Sequence, residues 1–416
     1  MKNNKEYFNP VDLLIRISSF STLSQIDILG VFDKLNHFGC VILELSSYKN
    51  LDDLLYLQNL FGSIAYHPHS ETNGIVHVTP NPNQPEYINT TNLEITPHSD
   101  GAFELEPPRF VALHCETPAE KGGFSTLVSS QKVYDYLAQE SYEGLLTLFD
   151  DDAFSIRRDN KQLTRPVFQC RNKKIHMSFR RDQSVNIFVK HQAQRAFDLT
   201  NEFLINPKNW VIFTLEPDQI LILDNSRILH GRTAFTGDRK LNRLWFNGNS
   251  NYKEQYSLGF LPCTQVGKDI FEIVKTKHYN LLEKEAILKD YRYWSWMLRY
   301  CHGDYLGACI FKLKRENIGS VATLLDEELM ELRNIISQYE SITYRLFQPD
   351  RFNYFQLGNE YHQLHIHAVP RYKEKRNFCE ADFIDKRWGA YPFPIENEIS
   401  LDLIKKIRSL YKSLIF

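Results

Sequence analysis

The polar run NSNYKEQYS after Gly248 divides the chain into two stretches of different rhythm. Before it, short apolar or alternating runs recur at Phe110–Leu113, Val185–Val189 and Ile220–Leu223, the length and pattern of strands in a β-rich core with helices outside it. Beyond it, from Leu281, strand-like and helix-like patterns return in a different order. A chain of 416 residues broken in this way exceeds one hydrophobic core, since domains usually hold about 100–200 residues. Two domains are expected, residues 1–265 and 280–416, with the boundary near 250–280.

Several classes are excluded by composition. Hydrophobic residues make up 43% and charged residues 24%, the usage of ordinary globular proteins. A formal net charge of −2 supplies no excess of Lys and Arg for a nucleic-acid polymer. No apolar stretch is long enough to span a bilayer, and the start MKNNKEYFNPVDLLIRISSF lacks the apolar core of a secretory signal. The seven cysteines are scattered and never spaced C-x-x-C. Reduced thiols and a cytoplasmic location, away from membranes, are expected.

Residues 25–37 repeat apolar groups at helical spacing and stop before Gly39, and Cys40–Leu45 reads as a strand. A second helix is expected over 51–61. In the second part, Ala308–Leu313, Tyr354–Leu357 and Leu364–Val369 read as strands, and Asp326–Leu346 and Leu401–Leu414 as helices.

The segment TPHSDGAF sets His98 and Asp100 two residues apart, so an extended backbone sends both side chains from one face. Downstream, LILDNSRILHGRTAF places His230 after an apolar strand, where it could complete a set with the first two. Two histidines and one carboxylate on one face of a metal leave positions open for small ligands, the economical donor set of a ferrous oxygenase. Thirteen residues beyond His230, Arg243 supplies a guanidinium suited to a carboxylate. Arg232 and Arg239 stand as alternative cations.

With the turn Gly122-Gly123…Thr126, these residues resemble the taurine dioxygenase and clavaminate synthase-like superfamily over about Leu29 to Gly248. The resemblance implies a double-stranded β-helix, or jelly roll, that uses Fe(II), 2-oxoglutarate and O₂. It implies His98, Asp100 and His230 as metal ligands, Thr126 touching 2-oxoglutarate, with Ser125 as alternative, and Arg243 on its far carboxylate. It also implies hydroxylation or a related C–H oxidation, because halogenating relatives replace the carboxylate ligand that Asp100 retains.

In the second part, FNYFQLGNEYHQLHIHAVPRY sets His365 and His367 at period two, so both imidazoles leave the same face of a strand. One can act as a nucleophile while the other holds phosphate oxygens; a structural metal pair or half-buried strand histidines would share the pattern. With Asn353, Leu357-Gly358-Asn359 and Pro370-Arg371-Tyr372, the motif is similar to the histidine triad family of nucleotide hydrolases and transferases, over roughly Tyr293 to Tyr391. By position, His365 is the implied nucleophile and His367 the third histidine, while Gln363 replaces the first. The expected class is therefore α+β: a jelly-roll oxygenase domain followed by a smaller histidine-triad-like domain, either a working nucleotide phosphohydrolase or transferase or an inactive module for nucleotide binding or dimerisation. The expected substrate is a small molecule that carries, or is activated through, a nucleotidyl or phosphoryl group.

Other features read more plainly. Arg157-Arg158 and Arg180-Arg181 could meet a substrate carboxylate or phosphate, although most charge pairs are solvated. Tyr291-Tyr293-Trp294-Trp296 suits core packing as well as stacking on a base. Trp245 and Phe246 are assigned to a barrel wall, and His67 and His69, around Pro68, to an ordinary loop.

Overall fold

A computed structural model of the chain describes residues 9–46, 50–67, 69–81, 88–158, 161–248, 250, 252, 254–301, 303, 305–358, 361–379, 381–392 and 398–415. The polar start up to residue 8, Pro68, Asn249, Asn251, Lys253 and Asn359, on which parts of the sequence reading rest, lie outside them. The chain divides into two compact units, Met1–Val274 and Lys275–Phe416. The division falls within a helix, Gln265–Ala286, so the interval left between the expected domains is helical.

In the first unit a six-stranded sheet runs in the order Leu14–Ile17, Cys40–Leu45, Gln219–Asp224, Phe110–Thr117, Lys240–Phe246, Val76–Val78. A four-stranded sheet runs Val211–Phe213, Ser125–Ser129, Ile228–Arg232, Ile95–His98. Ile42, Val111, Leu221 and Leu241 from the first sheet pack in one cluster with Leu127 and Ile228 from the second. The opposite face of the six-stranded sheet, through Val41, Leu43, Ala112 and Leu244, packs against Ile28, Val31, Phe32 and Leu35 of the helix Gln25–Phe38. A sheet buried on both faces explains near-continuous apolar strands such as Gln219–Asp224, and the two facing sheets form the jelly roll expected.

The helix Gln25–Phe38 begins with a capping box between Ser24 and Asp27 and ends at Gly39, whose φ of 78° is the left-handed stop that its lack of a Cβ allows. The helix expected over 51–61 differs. Leu51–Leu57 is a 3₁₀ helix, followed by one α turn, Gln58–Phe61. Leu54 and Leu57 are buried three residues apart, the period of that tighter helix, and Leu60 and Phe61 of the α turn are buried after them.

The second unit holds a five-stranded antiparallel sheet in the order Ile287–Asp290, Trp294–Leu298, Cys309–Leu313, His365–Arg371, Arg351–Phe355. Trp294, Trp296, Phe311, Ile366 and Ala368 share one core with Tyr339 of helix Asp326–Phe347 and Tyr411 of helix Leu401–Lys412. Of the aromatic run, Trp294 and Trp296 are therefore core residues, and the Trp294 indole N–H donates to the Glu328 carbonyl at 2.9 Å. Among the described residues, no helix is long and apolar enough to cross a membrane.

Candidate active site

Strand pairing brings the two distant histidines together. His230, on Ile228–Arg232, stands directly opposite His98, the last residue of Ile95–His98, and the register shifts between His230 and Arg232. The intervening Gly231 has no room for a side chain: a Cβ there would lie 2.2 Å from the Ile95 carbonyl oxygen and 2.9 Å from both Pro97 N and Thr126 Oγ1. Thus a glycine between ligand and bulge allows the two ligand strands to close on each other.

His98, Asp100 and His230 are all buried, and each offers a ligand atom within 4.8 Å of the others. His98 Nδ1 lies 3.0 Å from the Thr96 carbonyl, which fixes that nitrogen as the donor and leaves the Nε2 lone pair toward Asp100 Oδ1 at 3.5 Å. His230 Nε2 lies 4.0 Å from Asp100 Oδ2. Burial pulls the His230 pKa down to about 3, so its ring is neutral at physiological pH. Burial alone would raise the Asp100 carboxyl; the charge of the Arg243 guanidinium beside it holds it well below the usual range.

The turn carrying Asp100 is tied from three directions. Asn225 Oδ1 accepts from the Asp100 backbone N–H at 2.8 Å, and its amide donates to the Asp100 and Pro108 carbonyls at 2.9 Å each. Ser99 bonds Phe179 through backbone and hydroxyl. Trp245, assigned from the sequence to the barrel wall, donates its indole N–H to Asp100 Oδ2 at 2.8 Å. Asn225 carries no signal in a single sequence beyond the polar break DNS after an apolar strand, and Ser99 none beyond its place between His98 and Asp100.

The candidate 2-oxo-acid contacts separate. Arg243 is buried and places Nη1 3.2 and 3.1 Å from the two carboxylate oxygens of Asp100. Arg232 donates to the backbone carbonyls of Leu93 and Ile88 at 3.3 and 3.1 Å and to that of Thr91. Arg239 is also buried, 5.6 Å over the Phe235 ring and beside Gly123. Burial lowers its pKa to about 10, so it stays cationic. Thr126, paired with Gly231 across the sheet, has a buried hydroxyl with no hydrogen-bond partner among the described residues.

These groups surround a cavity of about 310 Å³. Its wall includes the triad, Arg239, Arg243 and Trp245, and also His67 and His69, which the sequence reading placed in an ordinary loop. His67 meets the Trp245 ring edge-on at 4.7 Å, and burial holds its pKa down at about 3. The donor set fits a divalent metal: two imidazoles and one ionised carboxylate, with His230 Nδ1 and Arg243 Nε buried without partners among the described residues.

In the second unit His365 and His367 share a strand face with Lys312 and Ile310 opposite them, and the two rings lie 4.7 Å apart. His365 Nδ1 is 2.7 Å from the Gln363 carbonyl, leaving Nε2 as the nitrogen with the lone pair. His367 stacks on Phe355 at 4.9 Å. Gln363 is fully engaged: its amide donates to the Leu313 and Arg315 carbonyls at 3.0 and 2.6 Å, and its oxygen accepts from Asn317 N–H at 3.1 Å.

The family described as taurine catabolism dioxygenase TauD, TfdA family, matches residues 19–245. The chain belongs to the TauD/TfdA family. Both strands that bear His98 and His230 fall within the matched residues. The chain is similar to trimethyllysine dioxygenase of Meyerozyma guilliermondii, 26% identical over 171 residues, covering 38% of this chain and 43% of that protein. It is similar also to FR-33289 synthase of Streptomyces rubellomurinus, 27% identical over 178 residues, 38% of this chain and 50% of that one. The chain thus spans half or less of the length of these curated relatives. Among solved structures, asparagine oxygenase in complex with Fe(II), 3-hydroxyasparagine and succinate aligns at 20% identity and a TM-score of 0.45, over 54% of this chain and 78% of that one. The non-heme iron oxygenase OrfP with Fe and alpha-ketoglutaric acid aligns at 15% and 0.42, over 55% and 82%.

Proposed function

We propose that the first unit is an Fe(II)- and 2-oxoglutarate-dependent oxygenase acting on a C–H bond of a small molecule. The observation that carries this reading is the buried His98–Asp100–His230 set, built on paired strands of a TauD/TfdA chain. These three residues would hold the iron, and Thr126 and an arginine would hold 2-oxoglutarate. Arg243 is the arginine expected for the remote carboxylate, but its guanidinium lies on Asp100. The far carboxylate of a chelated 2-oxo acid lies two methylenes beyond the metal end, so its partner must stand away from the ligand carboxylate. Arg239 lines the same cavity over the Phe235 ring, and we assign it that role with Thr126. Arg243 and Trp245 then orient Asp100 and keep it ionised.

With O₂, bound iron and 2-oxoglutarate supply an oxidant strong enough to break a C–H bond, at the expense of decarboxylating 2-oxoglutarate to succinate. The protein's own part is positioning: the Thr96 carbonyl holds His98 in the ligating tautomer, and Asn225 and Ser99 fix the turn of Asp100. Anaerobic addition of Fe(II) and 2-oxoglutarate should give a weak visible charge-transfer band that His98→Ala abolishes. Its absence from folded, metal-loaded protein would overturn the assignment.

For the second unit the proposal is a histidine-triad-like nucleotide phosphohydrolase or transferase with His365 as nucleophile and His367 holding phosphate oxygens. It is supported by the bond from His365 Nδ1 to the Gln363 carbonyl, which frees Nε2 to attack phosphorus. The engagement of Gln363 with the backbone of 313–317 favours a second reading, a fold kept for nucleotide binding or dimerisation. Nucleoside 5′-phosphate esters and phosphoramidates separate the two. Turnover lost in His365→Asn with binding retained supports catalysis, and no turnover in the natural protein supports the scaffold. None of the seven cysteines forms a disulfide, in keeping with the proposed cytoplasmic location.

A further inference from the structure

One face of the five-stranded sheet in the second unit is spent on the core. Trp296, Leu298, Phe311, Ile366 and Ala368 all belong to it, so the residues that alternate with them leave from the other face. Strand pairing gathers four chemically able side chains there. His365 and His367 alternate with Ile366 and Ala368, and Phe355 pairs directly with His367. Arg299 joins them. It follows Leu298, which pairs with Cys309, and its backbone N–H donates to the Ala308 carbonyl at 2.9 Å, extending the ladder by one residue onto the histidine face.

Arg299 is only 4% exposed, and its Nε is buried without a hydrogen-bond partner. Among the described residues no ion pair meets its guanidinium either. Burial pulls its pKa down to about 10, against Cys301, Tyr391 and Tyr305, none of them a carboxylate, so the group stays cationic. The guanidinium carbon lies 5.8 Å from the centroid of the Phe355 ring. That ring stacks on His367 at 4.9 Å, and His367 lies 4.7 Å from His365. A single aromatic ring therefore joins the unmet cation to the histidine pair, and the exposed Tyr391 approaches the same ring at 5.3 Å.

Arg371, on the strand and face of the histidines, shows how a buried arginine is satisfied for structure alone. Its Nε and Nη2 donate to Asp385 at 2.6 and 3.1 Å, and its Nη1 to Asn353 Oδ1 at 2.5 Å. Arg299 has no such carboxylate. A buried guanidinium left unmet is costly, and the cost is offset when an anion arrives with a ligand.

We infer that the second unit binds a phosphate ester or anhydride whose phosphate is anchored by Arg299 beside His367 and Phe355. This rests on the reading of the second unit as a phosphate site, whether or not His365 turns the ligand over. A guanidinium fork takes two oxygens of a phosphate, and the tetrahedral centre directs a third elsewhere, toward an imidazole; a carboxylate has only the two that the fork uses. Along the sheet the rows run His365, His367, Arg299, so Arg299 supplies the charge on the side of His367 away from the nucleophile.

The test is calorimetric titration of the full-length protein with inorganic phosphate and AMP, with acetate and adenosine as controls that lack the phosphate. Phosphate should bind more tightly than acetate, and AMP at least tenfold more tightly than adenosine. Arg299→Met, which keeps the apolar stem, should weaken phosphate and AMP by about 10- to 100-fold, the size of a charged hydrogen bond. Arg299→Lys, which keeps the charge without the fork, should weaken them by less. Thermal unfolding separates binding from structure: AMP should raise the Tm of the natural protein and not that of Arg299→Met. Without ligand, Arg299→Met should unfold no lower than the natural protein, because it has lost an unmet buried charge. Unchanged affinity in Arg299→Met, no binding of phosphate or AMP to the natural protein, or a ligand-free variant that unfolds well below the natural protein would overturn the inference. The catalytic reading fails separately. AMP bound through Arg299 with no turnover of nucleoside 5′-phosphoramidates keeps the anchor and removes the nucleophile; turnover that His365→Asn abolishes and Arg299→Met leaves at the natural KM does the reverse.

Discussion

Replacing Gly231 with alanine tests whether the two ligand strands depend on a missing side chain. The added Cβ would meet the Ile95 carbonyl oxygen at 2.2 Å, and Pro97 N and Thr126 Oγ1 at 2.9 Å, where ordinary contact begins near 3.4 Å. Two of these three atoms are backbone, so no rotamer change relieves the clash, and the strands must separate by about 1 Å in a close-packed interior. Overpacking of this kind costs about 1–3 kcal/mol, which in a unit of this size lowers Tm by about 2–4 °C per kcal/mol. Because His98 is paired opposite His230 beside the clash, the same movement spreads the ligand atoms and should weaken Fe(II) binding by about 10- to 100-fold. Thermal unfolding of the metal-free protein and anaerobic Fe(II) titration measure the two effects separately. Natural stability and natural metal affinity in Gly231→Ala would refute the close-approach argument.

Gly30 provides the opposite case. It lies inside the helix Gln25–Phe38, and its added Cβ would meet only Ile15 Cδ1 at 3.5 Å, so Gly30→Ala should stabilise by about 0.5–1 kcal/mol in urea unfolding. Trp245→Phe removes the indole donor to Asp100 Oδ2 while keeping a ring, and should weaken Fe(II) binding by about 10- to 100-fold with a smaller loss of stability; unchanged affinity would show that Arg243 alone orients the carboxylate. His176 is buried, and burial, followed by Arg109 and Arg171, holds its pKa well below the usual 6.5, so the fold keeps it neutral while the unfolded chain protonates it. Its contribution is therefore present above about pH 6.5 and lost as pH falls below it, by up to about 1.4 kcal/mol per pH unit. Unfolding free energies between pH 7 and 5.5 should fall less steeply in His176→Gln, and identical slopes would refute the assignment.

What could be read before the structure was what the chain makes local. His98 and Asp100 share a short extended segment, Gly39 stops a helix, and His365 and His367 alternate on one strand; each follows from a backbone period. Strand partners have no such signature. Nothing in LILDNSRILHG states that His230 lies opposite His98, or that Asn225 reaches the backbone of Asp100 across the sheet. Trp245 looked like wall packing because an indole's apolar body dominates any pattern, while its single N–H finds a partner only in three dimensions. Pro68 between His67 and His69 reads as an ordinary loop, yet the chain brings both histidines to the cavity that Asp100 lines. Over 51–57 the spacing of Leu51, Leu54 and Leu57 by three is the 3₁₀ period, but Leu55 among them also suits an α-helix, so the pattern alone leaves the two open.

The two units differ in where their polar atoms are left without partners, and that difference bears on function. In the first, His230 Nδ1 and Arg243 Nε, on residues that line the cavity, and Thr126 Oγ1, beside Gly231 of its wall, are buried without hydrogen bonds among the described residues. Each such atom costs about 1–3 kcal/mol unless something else meets it, so a cluster of them beside ligating side chains implies a site whose polar complement arrives with its ligands. In the second, Gln363, which the proposed histidine-triad reading sets at the first triad position, is the reverse: every polar atom of its side chain is spent on backbone at 313–317. A side chain so engaged stabilises its own loop and has nothing left to offer a phosphate. Under the proposed histidine-triad reading, phosphoryl chemistry there would fall to His365, whose Nε2 lone pair is set free by the bond its other nitrogen makes.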